Sequence, residues 1–250
     1  MGPEREGLAR IVNAIYYLAV IHDVQASPRA RRHEANLERI LETALDVVAR
    51  EGLEGLQMAR LAAAVDYTPG ALYRYVESKD ALVALLVTRT LGQVEAALGA
   101  AEAEVPARAT PLTRVAALVA AYRGFVRGAP HRFGLLAIAM AEPRILVGDG
   151  DHMRATAAAV IAAMTPLAAA LDAAVAGEAL AAGPAVERTL CLFALVHGLS
   201  QLPKLARAAP TAIDVDALVV SGLRALLIGW GGAPRAVDHA VRTIFTRELP

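Results

Sequence analysis

The side chains of this 250-residue chain whose types and spacing suggest chemistry lie between Gln57 and Lys79, in the stretch QMARLAAAVDYTPGALYRYVESK. That chemistry is non-covalent. Hydroxyls, a guanidinium and an ammonium can donate to phosphate oxygens and to base edges. Thr68-Pro69 is a helix-start signal, with Thr a good N-cap and Pro suited to the first helical position. If Leu72 centres one face of a helix over Thr68–Val76, Val76 shares that face. Gly70 and Arg74 then point the opposite way, with Ala71 and Tyr73 on the flanks. The helix is expected to bury Leu72 and Val76 and to present Gly70, Ala71, Tyr73 and Arg74. Small residues at its exposed start permit close approach to a major groove, and its N-terminus favours phosphate. Tyr73 can donate to a phosphate or touch a thymine methyl. Lys79, opening the next helix, suits a phosphate.

These residues need a support. Met58–Val65 reads as a short helix ahead of them, and Asp66 sits in the tight turn between, where Asp tolerates positive φ. The layout is a helix-turn-helix unit. A lone LYRY would read as a short helix with a solvated face, but the whole 23-residue pattern with its caps points to DNA. The reading end is poor in polar groups, so specificity is expected from thymine methyls and DNA shape.

Upstream, Leu37, Ile40, Leu41, Ala44, Leu45 and Val48 give an amphipathic helix, with Gly52 where a left-handed C-cap belongs. Leu8–Val24 is a separate apolar helix, ended by Ser27-Pro28, a pair that also suits the cap of the next helix. Between them, Arg29, Arg31, Arg32 and His33 form a basic cluster. It reads either as an arm that reaches a minor groove or phosphates, or as a solvated charge run. Downstream the periodicity predicts helices at Lys79–Glu104, Pro111–Arg127, His131–Ala141, Asp151–Ala176, Pro184–Arg207, Val215–Ile228 and Pro234–Glu248. No segment alternates with period two, so the fold is expected to be all-α.

With 25 basic and 25 acidic residues the net charge is zero, so any DNA affinity must come from local placement of charge. The single cysteine, Cys191, excludes an internal disulfide and fits a reducing cytoplasm. Lying in an apolar run, it is expected to be buried and inert. No secretory signal is evident. Pro166 and Asp172 interrupt the weakly polar run Thr156–Ala176, so no membrane span is expected. GDGDH, Gly148–His152, reads as a helix-capping loop rather than a cation loop. No metalloprotease, phosphate-loop, dinucleotide or nucleophile-elbow motif occurs. No metal, cofactor or enzymatic activity is therefore expected.

LERILETALDVVAREG followed by GLQMARLAAAVDYTPGALYRYVESKDALVALL, Leu37–Leu86, resembles the N-terminal domain of the TetR family of transcriptional regulators. The resemblance implies a three-helix DNA-binding domain, a larger helical domain that binds a small effector, and a homodimer. Taking Leu8–Val24 as an extension, it divides the chain into 1–27, a helix-turn-helix domain 28–82 and an effector and dimerisation domain 83–250. Carried over by position, it implies DNA contacts at Gln57, Met58, Thr68, Pro69, Gly70, Ala71, Tyr73, Arg74, Tyr75 and Lys79, with Arg31 and Arg32 added from the basic cluster. Gln57 replaces the usual Thr or Ser cap, Asp66 the turn glycine, Tyr67 a small aliphatic residue and Val76 the usual Phe.

CLFALVHGLSQL, Cys191–Leu202, resembles a His-Gly-bearing helix of one TetR C-terminal subgroup. An apolar cavity is expected, lined by Tyr122, Phe133, Leu136, Met140, Met164, Cys191, Leu195 and His197, for an apolar or aromatic effector. For each residue alone, plain core packing is the competing reading. The resemblance puts the dimer on helices 184–207 and 215–228, through Leu192, Leu195, Leu199, Leu218, Leu223 and Leu227. The expected function is a ligand-responsive regulator, a repressor on a palindromic operator. The alternative is a helical small-molecule-binding protein whose DNA domain is degenerate.

Overall fold

The structure is a computed structural model that describes residues 27–141, 151–202, 207 and 213–245. The expected helix Leu8–Val24 and residues 148–150 of the GDGDH loop lie outside the described residues. Those described form helices and turns with no strand among them. The chain divides into two compact units at Lys79/Asp80.

The first unit opens with α1, Pro28–Gly55. Ser27 caps it, its hydroxyl accepting from the Ala30 N–H at 3.2 Å, and Pro28 takes the first helical position. Nothing between Pro28 and Leu37 breaks a helix, and Arg, Ala, Glu and Leu all favour one. The helix therefore begins at Pro28 rather than near Leu37, and Arg29, Arg31 and Arg32 stand on its first turns. The expectation of a basic arm is corrected: these arginines project from regular helix. Ile40, Leu41, Ala44, Leu45 and Val48 bury one stripe. At Gly52, φ is +71°, a conformation that costs glycine little, and one further turn runs on to Gly55.

Helix α2 is Met58–Ala64, with Leu61 and Ala62 buried. The turn passes through Asp66 at φ +59°. Helix α3 is only Pro69–Leu72. Beyond it the bonds Arg74 N to Ala71 O and Tyr75 N to Leu72 O span three residues, the tighter 3₁₀ pattern. The expected helix over Thr68–Val76 thus tightens at Arg74 and Tyr75 and closes on a four-residue bond, Val76 N to Leu72 O at 3.1 Å, with Val76 buried at 2% exposure.

Helix α4, Lys79–Glu104, begins at the last residue of the first unit and continues into the second. The rest of the second unit is α5 (Pro111–Gly128), α6 (Pro130–Ala141), α7 (Asp151–Ala176), α8 (Ala185–Leu199), α9 (Val215–Gly229) and α10 (Pro234–Phe245). Helix α5 is the hub, packed on α6, α7, α8 and α10, while α9 packs on α8 and α10. Alanine supplies much of the contact: Ala116, Ala117, Ala120, Ala163, Ala170 and Ala174 are all buried. Small side chains bring helices close, as at Gly222, where an added Cβ would stand 2.5 Å from Leu195.

By length and composition α4 and Met153–Ala176 are apolar enough to cross a membrane, Pro166 notwithstanding. Half of the most apolar stretch of α4 and 28% of that in α7 are buried inside the protein.

Candidate DNA interface and effector cavity

The reading surface is built on a sealed base. Leu56, Leu61, Val65, Leu72 and Val76 are at most 2% exposed, so the short α3 is pinned from below. Its start is fixed by the Thr68 hydroxyl, which accepts the Ala71 N–H at 3.2 Å. Thr68, Pro69, Gly70, Tyr73 and Arg74 are then left exposed together, and Ala71 is half-buried. Tyr73 keeps 48% exposure, high for so large a ring. Gln57 is exposed at the head of α2 and makes no side-chain cap. Met58 beside it is half-buried.

Two expected DNA contacts are otherwise engaged. The Lys79 ammonium donates to the Leu53 carbonyl at 2.8 Å, closing the end of α1; an ammonium carries three donors, so this bond leaves capacity for phosphate. Tyr75 is held inside the unit. His33 stacks on one side of its ring at 4.6 Å and Tyr67 stacks with it at 5.6 Å. The Asn36 amide donates to its hydroxyl at 3.1 Å. Arg39 lies over Tyr67 and donates to the Val65 carbonyl at 3.0 Å. Hydrogen bonding with Tyr67, then with Asn36, lowers the Tyr75 phenol from its ordinary value, and the same pairing raises Tyr67. Tyr75 is a strut in this structure, with two ring contacts and a bonded hydroxyl. Sequence reasoning missed the strut because His33 and Tyr75 are far apart along the chain.

On the outer side of α2, Arg60 grips Glu51 through two bonds of 2.7 and 2.9 Å. The guanidinium holds the Glu51 carboxyl below its ordinary value.

In the second unit an aromatic run occupies the expected cavity region. Tyr122 stacks on Phe193 at 4.7 Å, Phe193 on His197 at 5.6 Å, and Phe133 meets His197 tilted at 4.7 Å. The Tyr122 hydroxyl and His197 Nδ1 lie 3.3 Å apart, both buried. Burial raises the Tyr122 phenol and lowers the His197 imidazole, so both groups favour their neutral forms. Beside them is a cavity of about 20 Å³ lined by Val94, Leu118, Tyr122, Met164, Leu167, Phe193 and Val196 among others, none of them charged.

Of the expected lining, Tyr122 and Met164 line this cavity, and Phe133 and His197 adjoin it through the aromatic run. Leu136 is core. Met140 is 57% exposed and Cys191 is exposed, so neither lines it. Leu195 lies against Gly222 instead. Phe193 was the missed residue; its spacing of four from His197 is the signal that would have found it. Of the expected dimer leucines, Leu192, Leu223 and Leu227 are at most 1% exposed inside their own protomer. The outward stripe of α8 is instead Val186, Leu190, Cys191 and Ala194. Helical period explains the error: neighbours such as Cys191 and Leu192 point to different faces, and a run apolar all round, Leu190–Val196, does not mark which faces in. Among the described residues no cluster of His, Cys, Asp or Glu could hold a metal ion.

Fold and site together define a helix-turn-helix reading head followed by a helical bundle with an aromatic-lined cavity. Residues 40–86 match the model for bacterial regulatory proteins of the tetR family, and 115–226 that for the tetracyclin repressor-like C-terminal domain. The chain belongs to the TetR family of transcriptional regulators, whose members are DNA-binding proteins and not enzymes. It is 37% identical over 73 residues to the HTH-type transcriptional repressor DrrR1 of Streptomyces coeruleorubidus; the match spans 29% of this chain and only 27% of that relative. A tetR-family regulatory protein from Rhodococcus RHA1 has a similar fold, with TM-score 0.60 and 18% identity over 79% of this chain and 98% of that one. So has FadR from Bacillus subtilis, solved with stearoyl-CoA, with TM-score 0.57 and 17% identity over 76% of this chain and 97% of that one.

Proposed function

We propose that the chain is a cytoplasmic, homodimeric repressor that binds a palindromic operator through residues 28–82 and releases it when residues 83–250 take up a small apolar or aromatic effector. The observation that carries this reading is the exposed set Thr68, Pro69, Gly70, Tyr73 and Arg74 on a capped element whose underside, Leu72 and Val76, is sealed. Tyr73 and Arg74 serve as base and phosphate contacts, Gln57 and Met58 flank them, and Lys79 holds a phosphate. Arg31 and Arg32, on the first exposed turns of α1, add phosphate contacts beyond the recognition element.

The outward stripes of α8 and α9, Val186, Leu190 and Leu218 among them, support the dimer. A twofold axis there would set two reading heads about 34–36 Å apart, facing successive major grooves. FadR holds an acyl thioester of coenzyme A. Here the cavity beside Tyr122 has no charged lining, which supports a neutral apolar or aromatic effector. At about 20 Å³ it must open to admit one. Val94 and Leu98 of α4 form part of its wall, so opening would shift the helix that begins at Lys79. The coupling available to such an effector is about 1–3 kcal/mol.

The test is fluorescence anisotropy with DNA flanking the gene, or selected from random sequence, across a salt series. Tight sequence-selective binding with a steep salt slope, lost in Tyr73→Ala with Lys79→Ala, is expected. Sequence-blind binding to every DNA would sink the reading and leave a ligand-binding protein with a degenerate head, for which the exposed Asp66 carboxylate beside α3 would be the natural cause.

A further inference from the structure

The aromatic cavity is small, yet α5, α6 and α9 of the same unit border a hollow of about 680 Å³, the size of ordinary ligand sites. Its walls differ in kind. Arg123 is 4% exposed and pairs with Asp216. Arg127, its side chain 61% exposed, reaches the same carboxylate through one long contact of 3.3 Å. Arg207 also lines the hollow, and so do Pro130 and Phe133.

We propose that this cleft is a binding site for a small organic monoanion, a carboxylate on an apolar body, separate from the aromatic cavity. Three points carry it. Among the described residues that line it, Arg123, Arg127 and Arg207 face two carboxylates, Asp214 and Asp216, a surplus of one positive charge. Asp214 is committed to capping α9, its Oδ1 accepting from Asp216 N at 2.9 Å and Ala217 N at 3.0 Å. The surplus therefore falls to the arginines, of which Arg127 is open and weakly held. A guanidinium presents a planar fork that fits a carboxylate through two bonds. The ring of Phe133 supplies the apolar wall, and that same ring meets His197 at 4.7 Å. A ligand body seated on Phe133 would press on the His197–Tyr122 pair from outside the aromatic cavity. The site thus gives the regulator a second input, for an acid, through the group that borders the first.

Isothermal titration of the full-length protein with octanoate and with benzoate, each against its uncharged amide, tests the assignment. At least one acid is expected to bind roughly tenfold or more tightly than its amide, the scale of a charged hydrogen bond. Arg127→Ala should remove most of that difference, and Arg127→Lys should restore part of it as a point charge. Arg127 is exposed, so its variants keep the fold, which a thermal melt checks. Equal binding of acid and amide, acid binding unchanged by Arg127→Ala, or no binding of either acid at millimolar concentration would each overturn the proposal. Operator binding measured on the same preparation without acid reports on the regulator reading separately.

Discussion

The two units hold their functional side chains by different means. In the first, the residues that frame the reading surface are fixed by directional contacts: Thr68 to Ala71 N, Lys79 to the Leu53 carbonyl, Arg39 to the Val65 carbonyl, and Tyr75 with His33, Tyr67 and Asn36. In the second, the residues around the cavity are almost all apolar, with Tyr122–His197 beside them, while directional contacts such as Arg123–Asp216, Arg188 to the Ala181 carbonyl at 2.9 Å and Arg224–Asp238 stand elsewhere in the bundle. Directional bonds define one geometry, whereas apolar contact is non-directional and tolerates repacking. A surface that reads DNA needs the first property. A bundle that must open around a small molecule is served by the second.

The sharpest challenge to this contrast falls in the bundle, at the buried Arg123. Asp216→Ala removes the half-exposed carboxylate that pairs with the buried Arg123, a loss of about 2 kcal/mol, between the surface and the buried cases; urea denaturation measures it. A loss below that of an ordinary surface variant would mean the bundle does not depend on the pair. In the reading head, Tyr75→Ala removes two ring contacts worth about 1 kcal/mol each. Tyr75→Phe removes only the Asn36 bond, about 1 kcal/mol. If Tyr75 is a strut, operator affinity should fall only as far as stability does in this pair; a Tyr75→Phe variant that loses operator affinity while keeping its stability would restore Tyr75 as a phosphate contact. Thr68→Ala should cost about 1 kcal/mol as a lost cap, with Thr68→Ser nearly neutral, read from thermal melts.

The smallest effect concerns pH. Burial lowers the folded-state pKa of His197. A depressed value means that the stability this neutral histidine contributes is complete above the unfolded value, near 6.5. It is lost as pH falls from there through the folded value. His197→Gln should flatten the stability profile over that acidic window. A wild-type profile as flat as the variant's would show that the imidazole is solvated rather than enclosed.

The helices were legible because local rules settle them. Ser27-Pro28 and Thr68-Pro69 mark their starts by cap and proline, and Leu72 with Val76 marks the buried side of the reading element. Three kinds of feature were not legible. The winding after Leu72 tightens within one turn, and periodicity does not separate i+3 from i+4 bonding over so few residues. The outward direction of Cys191 and Met140 is hidden because the runs Leu190–Val196 and Leu135–Ala141 are apolar on every side, which removes the polar contrast that orients a helix. The His33–Tyr75 stack and the Arg123–Asp216 pair join residues distant in sequence, where no local rule reaches.

The outward Cys191 also makes the chain a self-labelling reporter. It is the only thiol in the sequence, and it sits on the exposed stripe of α8 with Val186, Leu190 and Ala194. A maleimide will therefore attach one probe per chain, at a known place, without engineering. If two copies meet on that stripe, the reaction rate becomes a clock for their separation: slow where protein is concentrated and faster on dilution, with Ala194→Glu fast throughout.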